Sequence, residues 1–303
     1  MLACVVQGNI RSNFEHVLRS LIPKFDYIII STWENDHIEF DCPENVIIVK
    51  NRIPKIAGYS NRNLQRFTTA NGLRIARELN CDYILKWRTD MLPINLDLKF
   101  LFNQSQFDIP QGFNSRIVTC AFRNLSVNPD WFSSIPDYFS FGHIDIMEVL
   151  WGDNEFDYSQ MYNLPEEMKL ELGVQWTANK DIAGYYCAES ELYAIFKQRI
   201  QQINKDIYSH EEILKSFFNL IDHKSLAIIW FGANGLFRPI LALNFPWWTP
   251  SVWNGTEKAK LIAAGYPQSI FWKYFSKYIV YFITRLETYK QKKLLKKFLA
   301  SKK

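Results

Sequence analysis

The 303-residue chain lacks most of the short motifs that announce a chemistry. No Gly-x-Gly-x-x-Gly follows the first strand-like run, so a dinucleotide fold is unsupported. There is no Gly-Lys-Ser/Thr phosphate loop and no Gly-x-Ser-x-Gly nucleophile elbow. Cysteine is scarce. Cys4, Cys42, Cys81, Cys120 and Cys187 are scattered, odd in number and never spaced as Cys-x-x-Cys. That pattern speaks against a disulfide framework or a zinc site and for a reducing compartment. The histidines, His16, His37, His143, His210 and His223, are isolated, without metal-ligand spacing, and read as surface or core. No stretch reaches the roughly 18 uncharged apolar residues of a membrane span. Met1 leads directly into a strand-like run without the charged region of a signal peptide. Internal repeats and low-complexity linkers are also missing.

What is present is apolar and aromatic. Hydrophobic residues make up 48% of the chain, with 10 Trp, 15 Tyr and 23 Phe, enough for a sizeable core. The net charge of +4 is modest and does not call for nucleic acid. Residues 2–7 read as a buried first strand, and Gly8-Asn9 turns the chain. Ser12 with Glu15 fits a capping box ahead of Phe14, Val17, Leu18 and Leu21 at helical spacing. Strands are expected from Tyr27 to Ile30 and from Val46 to Val49, and a helix from about Asn61 to Leu79. This βαββ opening predicts an α/β sheet. Later expectations are a strand at Ile117 to Phe122 and a helix carrying Ile144, Met147 and Trp151. Helices follow near 195–203 and 211–221, and a strand at Leu226 to Phe231. Pro246-Trp247-Trp248-Thr249-Pro250 reads as a loop.

The chain is organised around residues 82–91. Tyr83, Ile84 and Leu85 form an apolar run that ends in Lys86, Arg88 and Asp90. In open α/β sheets the ligand crevice lies at the carboxyl ends of the strands. A charged strand end therefore either delivers its charges to that crevice or is simply solvated. Gln7-Gly8-Asn9, Ser31-Thr32-Trp33 and Asp137 to Gly142 are the other candidate walls. Gly8 lets backbone approach a ligand, and Trp33 stacks on a base or packs in the core. Lys86 and Arg88 are suited to a diphosphate, and Asp90 to a divalent cation held on it. Arg62 and Arg66 fall in the first turns of their helix, where a helix favours anions, and are candidate phosphate contacts. Glu189 and Glu191 fall where a general base could come from a later helix.

Beyond a soft boundary near residue 265 the composition changes. From Ile270 to Lys303 the chain carries ten Lys and Arg against the single acid Glu287, with Phe271, Trp272, Tyr274 and Phe275 among them. Basic side chains with aromatics and no span-length core describe helices lying on an anionic membrane surface; the plainer alternative is a lysine-rich tail. The expected organisation is thus a domain over residues 1–265 and a basic helical extension over 266–303.

Several blocks resemble the WavE family of bacterial lipopolysaccharide-synthesis proteins. They are Val5-Val6-Gln7-Gly8, Ile30-Ser31-Thr32-Trp33-Glu34, Asn61-Arg62-Asn63-Leu64-Gln65 with Thr68 to Leu73, Leu85-Lys86-Trp87-Arg88-Thr89-Asp90, Pro136 to Gly142, and Ala188-Glu189. They run in family order over roughly residues 1–195. The resemblance implies a GT-A-like (Rossmann-like) mixed sheet flanked by helices. It also implies transfer of a sugar from a nucleotide-sugar donor to a saccharide or lipid-linked saccharide acceptor. The donor site would draw on Gln7, Gly8, Asn9, Thr32, Arg62, Arg66, Lys86 and Arg88. In such folds an Asp-x-Asp commonly holds Mn²⁺ or Mg²⁺; here the triplet is Arg88-Thr89-Asp90, so Arg88 itself would stabilise the leaving diphosphate and Asp90, as a catalytic residue, would hold either a metal or a sugar hydroxyl. Asp137 or Glu189, with Glu189 favoured, would deprotonate the acceptor. The implied location is cytoplasmic, peripheral on the inner face of the bacterial inner membrane. The rival expectation is a non-catalytic saccharide- or membrane-binding scaffold on the same fold.

Overall fold

The computed structural model describes residues 1–11, 13–54, 62–120, 122–123, 135–152, 188–203, 210–221, 226, 228–231, 237–238, 247–248, 286, 289–290 and 292–301. Continuous apolar runs build the first strands: β1 (Leu2–Gln7), β2 (Tyr27–Trp33) and β3 (Val46–Asn51). Helix α1 (Phe14–Leu21) joins β1 to β2, and α2 (Arg62–Glu78) leads to β4 (Tyr83–Arg88). Asn13 occupies the cap position of α1 without a side-chain cap bond, and Ser12 of the expected capping box lies outside the described residues. β3-β2-β1-β4 are all parallel, in that order. β1 and β4 are neighbours although the chain leaves β1 towards β2, so a topological switch point lies between them.

The sheet continues with strands of changed direction. β8 (Ser140–His143) runs antiparallel to β4 and to β6 (Ile117–Thr119), and β9 (Phe218–Leu220) closes the edge parallel to β6. The result is a seven-stranded, mostly parallel α/β sheet of Rossmann-like topology. Short strands flank it: β5 (Met91–Pro93) pairs with β10 (Ile228–Phe231), which pairs with β11 (Phe237–Arg238). β7 (Phe122–Arg123) pairs with β12 (Trp247–Trp248), so the expected Trp247-Trp248 loop contains a paired strand. α3 (Leu98–Ser105), capped by Asp97, was not signalled in the sequence.

Strand alternation divides the core in two. Ala3, Val5, Ile29 and Ile84 face Leu73 and Ala76 of α2. The same layer takes residues of α4 (Ile144–Trp151), α5 (Ala188–Ile203) and α6 (His210–Phe217). On the other face Cys4, Val6, Ile28, Ile30, Leu85 and Trp87 meet Phe14, Val17, Leu18 and Leu21 of α1. Each Val, Leu, Ile or Phe among them, fully buried, contributes about 1.5–3 kcal/mol. The expected helix over 211–221 stops at Phe217, because Phe218 and Leu220 alternate into the sheet instead.

Gly72 is where α2 crosses β1. A Cβ there would stand 2.3 Å from Val5 Cγ1, inside a fully buried contact. Alanine gains about 1 kcal/mol of helix propensity, while overpacking costs about 1–3 kcal/mol. Gly72→Ala is therefore expected to be destabilising by up to about 2 kcal/mol. A urea midpoint at or above that of the parent protein would show that Val5 yields without strain.

Residues 292–300 are helical, with Lys292, Lys293, Lys296 and Lys297 exposed. Leu294, Leu295 and Phe298 pack against the second core layer, so this helix spends its apolar face on the protein. The boundary near 265 and the aromatic run from Phe271 lie outside the described residues, as does most of the expected membrane-facing segment. No helix among the described residues is long and apolar enough to cross a membrane.

Candidate functional site

The cleft opens at the switch point, where the loops leaving β1 and β4 diverge. Gln7, Gly8, Asn9, Arg11, Trp33, Leu64, Gln65, Arg88, Thr89 and Asp90 line it. Gly8 adopts φ +116°, a region that side-chain-bearing residues rarely enter, and this lets the chain turn sharply off the strand. Two bonds stitch the β1 and β4 ends together, Thr89 N–H to Gln7 O (3.2 Å) and Thr89 Oγ1 to Asn9 O (2.7 Å), and Gly8 N–H donates to Ser31 O of β2 (3.2 Å). Thr32 Oγ1 lies within reach of Gly8 O at 2.9 Å and of the Asp36 carboxylate. Asp36 also accepts from the backbone N–H groups of Ile10 and Trp33, each at 3.3 Å. Trp33 is 4% exposed and donates Nε1–H to Asn9 Oδ1 at 3.0 Å, so it packs as a wall of the cleft.

The floor is an ionic cluster centred on Arg88. Its Nε and Nη2 donate to the two oxygens of Asp90 at 2.9 and 3.1 Å, and its Nη1 donates to Asp137 Oδ2 at 2.8 Å. Its guanidinium carbon lies 5.5 Å from the centroid of the Trp230 ring. Asp90 Oδ2 also accepts from Arg11 Nη1 (2.6 Å) and from Trp230 Nε1 (3.1 Å). Asp90 is 2% exposed. Burial alone would push its carboxyl up, but the Arg88 bonds, the charges of Arg88 and Arg11 and the Trp230 bond together hold it below the ordinary carboxylate range. Burial likewise opposes the charge on Arg88, and Asp137 and Asp90 more than offset it, keeping the guanidinium protonated.

Topology explains how these groups meet. β8 runs antiparallel to β4, with Lys86 opposite Ser140. Asp137, just ahead of β8, is thereby returned to the carboxyl end of β4. The sequence reads 137–142 as a strand end, whereas the structure makes 137–139 the approach to β8 and 140–142 its start. Trp230 arrives from 140 residues away because β10 pairs with β5, with Trp230 opposite Met91 and Phe231 N–H donating to Asp90 O at 2.8 Å.

Of the expected site residues, Gln7, Gly8, Asn9, Thr32, Arg88, Asp90 and Asp137 come together here. Gln7 accepts from Thr68 Oγ1 at 3.2 Å. Lys86 sits elsewhere: it is fully buried, its ammonium 4.7 Å from the Trp151 ring centroid and away from the cleft wall. Arg66 is 3% exposed on α2 and does not line the cleft either. Arg62 and Glu189 are the first residue of α2 and the second of α5; the side chains of both lie outside the described residues. Arg11, Asp36 and Trp230 were missed. Arg11 had one available signal, a cation in the loop directly after the first strand. Trp230 had none, since only the β5–β10 pairing brings it near.

Among solved structures the chain is similar to a 4-diphosphocytidyl-2C-methyl-D-erythritol synthase, at 13% identity over 52% of this chain and 81% of that one, with TM-score 0.28. It is also similar to a cytidylyltransferase from Leptospira borgpetersenii, at 15% identity over 68% and 97% of the two chains, with TM-score 0.28. Likenesses this loose carry no argument. No curated protein sequence matches. The family model described as WavE lipopolysaccharide synthesis matches residues 3–214, a span that holds both loops of the cleft, Asp137 and α2. The chain belongs to the WavE lipopolysaccharide synthesis family.

Proposed function

We propose that this protein is a nucleotide-sugar-dependent glycosyltransferase of lipopolysaccharide or related surface-glycan assembly, built on a GT-A-like sheet. The observation that carries the reading is the cleft at the switch point. A tight glycine turn there faces Arg88 and Arg11 across a water-shielded floor. On this reading the donor diphosphate lies over Gly8 against the two guanidinium groups. The acceptor hydroxyl oxygen attacks the anomeric carbon, and the bond from that carbon to the diphosphate oxygen breaks. Its electron pair leaves with the nucleoside diphosphate, and the acceptor proton passes to a carboxylate, Glu189 or Asp137. Fixed positive charge aimed at the leaving group is worth most in such a partly desolvated site, about 10²–10³ in rate per group.

On the same reading the acceptor is saccharide or lipid-linked, and the exposed lysines of residues 292–300 approach anionic headgroups at the inner face of the membrane. Nucleic acid is not a partner in this scheme.

The test is a thermal-shift panel on the full chain with UDP, GDP, CMP and dTDP. A nucleotide held at a hundredfold excess over its Kd adds about 2.7 kcal/mol, or about 5 °C in a chain of this size. One nucleotide is expected to give that shift, and Glu189→Gln to keep it while losing transfer. No shift from any nucleotide would remove the donor site and leave the rival reading, a saccharide- or membrane-binding scaffold.

A further inference from the structure

We infer that the donor diphosphate is held by Arg11 and Arg88 without a divalent cation, and that Asp90 is the counter-ion that sets those arginines rather than a metal ligand. The inference rests on the donor-site reading above and says how that site holds its anion.

The first support is the state of the Asp90 carboxylate. A carboxylate offers about four lone-pair positions. Asp90 receives four N–H donors from three side chains: Nε and Nη2 of Arg88, Nη1 of Arg11 and Nε1 of Trp230, at 2.6 to 3.1 Å. Oδ2 carries three of these donors and Oδ1 one, so a metal would have to reach Oδ1 beside the Arg88 Nε–H, in a group that is 2% exposed. The second support is Arg88 itself. Two carboxylates, Asp90 and Asp137, face each other across this floor, a pair that a hard cation would bridge. The Arg88 guanidinium already bridges them, with bonds to Asp90 on one side and to Asp137 Oδ2 at 2.8 Å on the other. A dication added there would lie against two guanidinium charges. Among the described residues no group of three His, Cys, Asp or Glu gathers anywhere. The residues present therefore do not fit Mn²⁺ or Mg²⁺ at Asp90.

Arg11 is the piece that makes the alternative work. Its side chain is 30% exposed, lines the cleft and makes one bond, to Asp90, among the described residues. A guanidinium carries five N–H donors in a planar fork matched to phosphate oxygens. Arg11 can keep its Asp90 bond and present the rest of the fork to a diphosphate. Arg88 offers the N–H groups not committed to Asp90 and Asp137. Asp90 fixes both forks, which lowers the ordering cost when the anion arrives.

The experiment is isothermal titration of the full chain with UDP, GDP, CMP and dTDP, in EDTA and again in Mn²⁺ and in Mg²⁺. The same titrations are then run on Arg11→Ala and Arg11→Lys. Arg11 is exposed enough for both variants to fold, and circular dichroism checks that they do. The expected result is a nucleotide whose Kd agrees within about twofold between EDTA and either metal. Arg11→Ala should weaken that Kd by at least about tenfold, the size of a charge-assisted bond, and Arg11→Lys should recover part of the loss. Binding that requires Mn²⁺ or Mg²⁺, or that Arg11→Ala leaves unchanged, overturns the inference and leaves the donor site standing. A chain that binds no nucleotide in any condition overturns the donor-site reading, and the inference falls with it.

Discussion

Arg88→Met is expected to reduce glycosyl transfer by at least about 10²-fold and to cost the fold about 3–5 kcal/mol. Both effects come from one guanidinium. In the folded chain Arg88 is the partner of Asp137 and supplies two of the four donors to Asp90. The side chains of the three groups are only 18%, 12% and 2% exposed for Arg88, Asp137 and Asp90. Methionine fills similar space but leaves two poorly solvated carboxylates, of which only Asp90 keeps cationic help, from Arg11. Stranding a buried charge is much more costly than removing a whole ion pair. Against a total stability of about 5–15 kcal/mol, that loss should be plain in a urea titration. Arg88→Lys separates the two roles. It keeps a charge but cannot serve Asp90 with two parallel bonds and Asp137 with a third, so it should recover stability better than rate. A midpoint for Arg88→Met equal to that of the parent protein would mean that the cluster is better solvated than its burial indicates.

Gly8→Val should cost about 2–3 kcal/mol and weaken nucleotide binding by more than tenfold. At φ +116° a β-branched residue is strained whatever space surrounds it, and such strain is worth about 1–3 kcal/mol. The space is also limited. A Cβ at Gly8 would come within 3.1 Å of Thr89 Oγ1, the hydroxyl that ties the β4 loop to Asn9 O at 2.7 Å. Pushing Thr89 aside loosens the stitch between the two loops and moves Asp90, the next residue, off its arginines. The valine methyls would then occupy the place where a ligand must approach the backbone. Gly8→Ala should fall between, with the strain but less of the obstruction. The readouts are the denaturation midpoint and the nucleotide Kd. A valine variant that binds as the parent does would place the ligand away from this turn.

Much of the sheet was legible because its signals are local. The apolar runs at Ala3 to Val6, Ile28 to Ile30 and Tyr83 to Leu85 mark β1, β2 and β4, and the helix expected from about Asn61 to Leu79 matches α2 within one residue at each end. The charged and glycine-bearing strand ends gave the expectation that Gly8, Thr32, Arg88, Asp90 and Asp137 share a cleft, and the family blocks added an order for these pieces. Gly8, Arg88 and Asp90 line one cleft, with Asp137 bonded to Arg88 and Thr32 close to Gly8 O beside it. The edge of the sheet was harder. Phe217 to Ile221 is apolar enough for either a helix end or a buried strand, and periodicity over so few residues does not separate the two.

Lys86 marks the boundary between the two kinds of information. The sequence places it in the charged end of β4, two residues before Arg88, and strand alternation puts both on one face of the sheet. Two residues of strand are about 6–7 Å, however, and that distance carries Lys86 from the cleft to beneath the indole of Trp151. Depth along a strand depends on which helix covers it, and no local pattern records that. Arg11 and Trp230 make the same point in the other direction, since they reach Asp90 from 79 and 140 residues away. By itself the sequence determined β1 to β4, helix α2 and the charged residues at the strand ends, because hydrophobic period and turn chemistry act over a few residues. Tertiary structure alone decided that Arg11, Asp137 and Trp230 join Arg88 and Asp90 in one cluster. That outcome depends on the pairing of β1 with β4 for Arg11, the reversal of β8 for Asp137 and the pairing of β10 with β5 for Trp230, contacts made between segments that the sequence keeps far apart.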